Sequence, residues 1–344
     1  MRILSEFFSM RLPSVNVGYA RGLLNCMVTQ SGNKTISSGS HKPVLLHEVE
    51  NYLAIKKDGI YVDATFGRGG HAEMILENLS DNGILIVIDK DPEAIEFAYK
   101  KFANDKRVKI FHGSFVNLAA WVRELGYYGR VDGILLDLGV SSPQLDDSER
   151  GFSFMRSGPL DMRMDTTTGM SVAKWLETAT VVELTDILKE FGEERFAHKI
   201  ATAIVTKEAE EKITTTKMLA DIVTSALPYR EKHKHPATRT FQALRIFINQ
   251  EIAQLENVLR QTVDILCVGG RLVVISFHSL EDRIVKRFMR LLTHGEAVLK
   301  KIPIVGDSAD VRFKLVGKFK PTQLEIAVNP RARSAILRVA EKIK

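Results

Sequence analysis

Two apolar runs, the first ending in a glycine-rich turn and the second in an acid, restrict this chain to few folds. Ile60-Tyr-Val leads into Asp63-Ala-Thr-Phe-Gly-Arg-Gly-Gly-His71, and Ile84-Leu-Ile-Val-Ile leads into Asp89-Lys-Asp91. The apolar runs read as buried strands, and the glycines let the backbone turn sharply towards a ligand. Asp89 follows the glycines by about twenty residues, the spacing at which a doubly wound sheet presents a carboxylate to a ribose. A nucleoside-containing cofactor is expected.

Composition narrows the setting. The 344 residues suffice for one large domain or two smaller ones, and 45% hydrophobic with 26% charged content is ordinary for a globular protein. Net charge is +6, but residues 1–40 hold Arg2, Arg11, Arg21 and Lys34 against Glu6 alone, about half the surplus. The body is only mildly basic, so charge by itself is weak support for nucleic-acid binding. Cys26 and Cys267 lack partners at metal-ligand spacing, which argues against a disulfide framework or a bound metal. Cys267, in Ile265-Leu-Cys-Val268, is expected in the core. No apolar run approaches the roughly 18 residues that span a membrane. A reducing, cytoplasmic interior suits the chain.

Residues 1–40 are Ser-rich, acid-poor and broken by Pro13, Gly18, Gly22, Gly32 and Gly39. They read as a disordered extension or an upstream start, with a transit peptide as the alternative. Residues 41–145 alternate helix and strand. Strands are expected near 60–64, 84–89, 108–112 and 133–138, and helices near 44–55, 71–80, 92–102 and 116–125. Residues 146–240 lack strand signals and read as turns followed by helices. Thr180-Val-Val-Glu183 is a capping box, Glu193 to Lys207 is amphipathic, and Lys217 to Leu227 stops at Pro228. A longer helix from about 240 to 266 precedes the strand Gly269–Phe277. Within 241–344 the tail has β-like runs near 312–319, 323–328 and 335–340. The expected architecture is an α/β doubly wound sheet whose two parts, 41–145 and 241–344, flank a helical insertion at 146–240.

The glycine loop alone leaves its ligand open. Gly67-Arg-Gly69-Gly-His-Ala72 fits the G-x-G-x-x-A dinucleotide pattern, so a nicotinamide enzyme competes. An S-adenosylmethionine enzyme uses the same plan, and there an acid before the glycines, here Asp63, faces an amino-acid tail and a sulfonium. Asp137-Leu-Gly-Val-Ser-Ser-Pro-Gln144 lies at the carboxyl end of the fourth expected strand, where open α/β sheets bind ligands. The exocyclic amine of cytosine or adenine is a poor nucleophile. A short polar loop that accepts its hydrogen bonds and holds it in line promotes methylation. Ser141, Ser142 and Pro143 have that chemistry, a purely structural turn being the alternative. They resemble the (Asp/Asn/Ser)-Pro-Pro-aromatic loop of amino-methyltransferases, with Gln144 in place of the second proline.

Further clusters combine cations, glycines and aromatics. Arg150-Gly-Phe-Ser-Phe154 and Gly158–Asp165 include Asp161 and Arg163. His235–Arg245 places His235, Arg239 and Arg245 beside Phe241, a set suited to phosphates and stacked bases. Ser276–Arg283 carries His278, readable as a substrate contact, a base or a hydrogen-bonded structural histidine. Asn329–Ser334 holds Arg331 and Arg333, either a solvated basic turn or an RNA backbone contact.

At these residues the chain resembles the bacterial 16S rRNA cytosine-N4 methyltransferase family (RsmH, or MraW). The matching runs are His41–Leu46, Asp63–His71, Leu136–Leu145, Arg150–Phe154, Gly158–Asp165, Gly192–Arg195, His235–Ile246, Ser276–Arg283 and Asn329–Ala335. Residues 1–40 lie outside the match, and Cys267-Val268 replaces the Ala-Pro usual before Gly269. The resemblance implies a class I S-adenosylmethionine-dependent methyltransferase, Rossmann-like, with a helical substrate-recognition insertion. It implies methylation of N4 of cytosine 1402 in the decoding region of 16S rRNA within the small ribosomal subunit. Carried over by position, the cofactor contacts are Gly69, Gly70, His71, Asp89, Phe115 beside the adenine, and Asp137 and Gln144 near the methionine, to which the residue reading above adds Asp63. Transfer would be direct, with Ser141, Ser142, Pro143 and His278 at the acceptor amine and no metal. A nicotinamide oxidoreductase and a non-catalytic RNA-binding protein are the competing classes. Monomer and homodimer both stay open.

Overall fold

The computed structural model describes residues 43–227, 235–294 and 311–344. The expectation for residues 1–40 and the stop at Pro228 lie outside them. The expected first strands form on short runs rich in apolar residues, as suits parallel strands covered by helices. These are β1 (Ile60–Asp63), β2 (Ile84–Asp89), β3 (Val108–His112) and β4 (Val131–Asp137). β5 (Leu266–Ser276) begins before the Gly269-Gly270 pair, and β6 (Phe313–Phe319) and β7 (Ile336–Lys342) close the chain. All seven make one sheet in the order β3-β2-β1-β4-β5-β7-β6. The first five are parallel, and β7 runs antiparallel to β5 and β6.

Alternate side chains along each strand feed opposite faces of the sheet. Tyr61, Leu85 and Val87 join one buried cluster with helices α1 (Leu46–Leu53) and α2 (Gly70–Asn78). Ile60, Val62, Ile86 and Ile88 join the other. That second face is covered by α4 (Leu118–Glu124), α11 (Glu251–Ile265) and α12 (Ser279–His294). The third helix, α3 (Pro92–Phe102), starts on Asp91, whose carboxylate accepts from the Glu93 amide at 3.0 Å. A third cluster, from Phe152 to Leu244, is built from α6 (Val172–Leu176), α7 (Val181–Gly192), α8 (Ala197–Glu210), α9 (Thr216–Ala226) and α10 (Thr238–Asn249). The capping box forms as expected: the Thr180 hydroxyl accepts from the Glu183 amide, and Glu183 accepts from the Thr180 amide.

Three elements depart from the expectation. The long helix over 240–266 is two helices, because Gln250 adopts a left-handed conformation at φ 53°. At the break, Lys90 Nζ donates to the Asn249 carbonyl at 3.1 Å. The run 323–328 is a helix rather than a strand, since Thr322 caps it by accepting from the Glu325 amide at 3.1 Å. Cys267 is only half-buried on β5, with Sγ 3.7 Å from Asp132.

Candidate active site

The chain runs β1, β2, β3 in one direction across the sheet and then returns beside β1 with β4. The reversal opens a crevice at the carboxyl ends of β1 and β4, the place where such sheets bind ligands. Asp63 ends β1, Asp137 ends β4 and Asp89 ends the neighbouring β2, so three carboxylates share this rim.

The loop after β1 is shaped by contacts as much as by glycine's freedom. Gly69 has φ 75°, and a Cβ there would lie 2.6 Å from the Phe66 ring. Gly70 opens α2, and its Cβ would lie 2.2 Å from Pro43 Cγ, so packing alone demands a glycine. The Gly67 amide donates to Asp89 Oδ2 at 2.8 Å, while Asp89 Oδ1 accepts from the Asp91 amide at 2.9 Å. Asp89 is thereby fixed at the loop's edge. Phe115 starts a short 3-10 turn after β3 and packs partly buried against the second cluster.

Charge in the crevice is set by burial. Desolvation pushes the Asp63 carboxyl up to about 7, opposed by His71 and the Thr65 amide and reinforced by Asp137 and Asp89. Asp89 is raised to about 6, again chiefly by burial. His71 is buried with Nε2 3.6 Å from Asp137 Oδ2, yet neither ring nitrogen has a hydrogen-bond partner, and Asp137 Oδ1 has none either. Unsatisfied buried polar atoms at the foot of a crevice call for a ligand. A group carrying ammonium and sulfonium charges beside a ribose suits three carboxylates and an imidazole.

The loop expected to hold the acceptor follows β4 directly. Ser141 precedes the short helix α5 (Ser142–Asp146), and its amide donates to Gln144 Oε1 at 2.9 Å. Gln144 Nε2 in turn donates to Asp91 Oδ2 at 2.7 Å, where Arg150 Nη1 also donates at 2.9 Å. Asp91, Gln144 and Arg150 are all buried. Both ends of the Gln144 amide are therefore committed within the protein, and its position is that of a strut between the β2 rim and the Ser141 loop. Arg150 Nη2 extends the network to the Met164 carbonyl at 2.9 Å. Asp91 has a helix-capping signature in sequence, but nothing local shows that it also holds Gln144 and Arg150.

The expected RNA contacts are scattered. Arg163 folds back on Asp161 with bonds of 2.8 and 2.7 Å, and each holds the other. His235 is exposed and stacks on Phe154 at 4.4 Å between ring centroids. Arg239 is half-buried on α10, Arg333 is exposed, and Arg331 donates to Asp146 at 3.2 Å. Arg245 departs from its expectation: it points inward, its Nε and Nη2 donating to the two carboxylate oxygens of Glu251 at 2.8 Å. His278 lies 3.1 Å from Glu281 Oε1, while Glu281 Oε2 accepts from the Phe277 amide at 3.0 Å. Burial pushes the Glu281 carboxyl up, but His278, Arg245 and that amide bring it below its ordinary value. Ligand atoms of Glu251, His278 and Glu281 lie within 4.8 Å of one another. The Arg245 guanidinium already balances them, so the group reads as an ion network.

A five-strand parallel array with an antiparallel β7-β6 edge, and a carboxylate-lined crevice at its switch point, define a class I S-adenosylmethionine-dependent methyltransferase. The chain belongs to the MraW methylase family, whose model matches residues 38–343. Among solved structures it is similar to an rRNA methylase from Streptococcus thermophilus, 13% identical over 87% of this chain and 96% of that one, TM-score 0.36. It is also similar to a SAM-dependent O-methyltransferase from Thermotoga maritima, 10% identical over 87% of this chain and 64% of that one, TM-score 0.36. The protein is an enzyme that transfers methyl groups from S-adenosylmethionine. No helix among the described residues is long and apolar enough to cross a membrane.

Proposed function

We propose that the acceptor is ribosomal RNA, specifically N4 of cytosine 1402 in the decoding region of 16S rRNA within the small subunit. The observation that carries this reading is the Ser141-Ser-Pro143 loop, seated after Asp137 and pinned through Gln144 to the cofactor rim. Membership of the MraW methylase family supports the same substrate. Work on ribosomes would place the protein in the cytoplasm, with residues 146–240 acting as the insertion that meets the RNA.

When bound, S-adenosylmethionine supplies a methyl group made electrophilic by its sulfonium. Asp63, His71 and Asp137 would hold the methionine end, Asp89 the ribose and Phe115 the adenine. Ser141, Ser142 and the Pro143 turn accept hydrogen bonds from the cytosine amine and hold it in line, which supplies the orientation its weak nucleophilicity needs. No side chain must remove a proton before transfer, because the methylated amine is acidic enough to lose one to water afterwards. His278, with Nε2 3.1 Å from Glu281 Oε1, follows the neighbouring end of β5 and would orient the acceptor.

Replacing both serines by alanine tests the assignment. The expected result is a fall in kcat of roughly 100-fold on small subunits, with S-adenosylmethionine binding by calorimetry unchanged. Wild-type turnover in the double variant would refute it.

A further inference from the structure

The first turn of α12 stands at the carboxyl end of β5, immediately after His278. Its buried residues Glu281, Val285 and Met289 face the protein. Arg283, Lys286, Arg287 and Arg290 recur at i, i+3, i+4 and i+7, and all four are exposed. Together they line about 10 Å of one helix face.

The helix carries two acids, and neither offsets this stripe. Glu281 is engaged by His278 and the Phe277 amide. Asp282 is held by Arg338 through bonds of 2.7 and 3.0 Å. Arg283 alone has an acidic partner among the described residues, Glu193 at 2.7 Å, and Glu193 also accepts from Ser279 Oγ at 2.8 Å. Those bonds fix the start of α12 against the end of α7. Lys286, Arg287 and Arg290 make no ion pair among the described residues. A helix whose acids are turned inward and whose exposed cations begin beside the crevice is a rigid rail of positive charge. Ordinary solvated faces mix both signs.

We propose that this face of α12 binds the phosphate backbone of the methyl-acceptor RNA, flanking the nucleotide presented to the Ser141 loop. The proposal rests on the RNA reading of the site and adds to it the surface that holds the strand. Phosphate contacts position a nucleic acid without reading its sequence, and each displaces counterions. They therefore show in KM and in salt dependence, and leave kcat alone.

The test is the full chain carrying Lys286→Gln, Arg287→Gln and Arg290→Gln, assayed on unmethylated small subunits and by binding to a decoding-region RNA hairpin over a salt series. The slope of log affinity against log salt should fall by about 2–3. KM for subunits should rise on the order of tenfold or more, with kcat and S-adenosylmethionine affinity unchanged. Lys286→Glu alone should weaken RNA binding further than Lys286→Gln, a comparison that stands if the triple variant is less stable. An unchanged slope and KM in a variant that melts like wild type would overturn the proposal and leave the RNA reading intact. Failure of the wild-type enzyme to methylate subunits at all would overturn the RNA reading instead.

Discussion

Asp63 shows how a single side chain trades stability for binding. Its carboxyl is raised from 3.8 to about 7, chiefly by burial. Between about pH 4 and 7 the folded chain keeps a proton there that the unfolded chain has released, so stability falls as pH rises through that window. Asp63→Asn should accordingly raise the melting temperature at pH 8 and leave it unchanged at pH 4, while weakening S-adenosylmethionine binding. For the wild type, a cationic ligand favours the ionised carboxylate, so affinity should climb as pH passes 7. Equal melting shifts at both pH values would contradict the buried-acid account.

Gln144 is the second case. Because its amide joins Ser141 to Asp91, Gln144→Ala should lower kcat on the order of tenfold or more through loss of loop placement. Its dissociation constant for S-adenosylmethionine should stay near wild type. A variant with wild-type kcat and weakened cofactor binding would make Gln144 a direct cofactor contact. Asp63, Asp89 and Asp137 were legible because each ends an apolar strand. The strut was not, since Asp91, Gln144 and Arg150 come from three separate segments and meet only when the sheet has formed.

Among the elements, strands could be read to within a residue or two where their apolar runs were unbroken, as in β2, and β3 was read equally well despite Lys109 within it. The 323–328 segment reads as strand by composition, yet Thr322 and Glu325 cap it as a helix. Gln250 gives no sequence signal for a break, and the bond that Lys90 makes to the neighbouring Asn249 carbonyl comes from far along the chain. The start of α2 makes a sharper prediction. Gly70→Ala should destabilise the fold by about 1–3 kcal/mol, as overpacking does, since its methyl would meet Pro43. Adding Pro43→Ala should recover part of that loss in urea unfolding. If the double variant is no more stable than Gly70→Ala alone, the glycine is required for something other than this contact.

For the molecule as a whole, the crevice and the helical region are joined by polar bonds across sequence. Lys90 reaches Asn249 and Gln254, Arg150 reaches Asp91, and Glu193 reaches Arg283 and Ser279. The rim of the crevice and helices α7 to α11 are therefore one connected frame, to which the Ser141 loop is tied through Gln144. The clustered α/β runs announced the sheet, whereas the destination of the charged residues depended on long-range pairing. Arg245, turned inward onto Glu251, is the plainest example.

Methylation of the decoding-region cytosine is tested most directly by incubating the purified enzyme with S-adenosylmethionine and small subunits that lack the modification, then mapping the 16S rRNA by nuclease digestion and mass spectrometry. One added methyl is expected, on N4 of cytosine 1402, and it should appear roughly 100-fold more slowly with the Ser141→Ala, Ser142→Ala variant. A methyl on a ring carbon, on a ribose or at another nucleotide would contradict it.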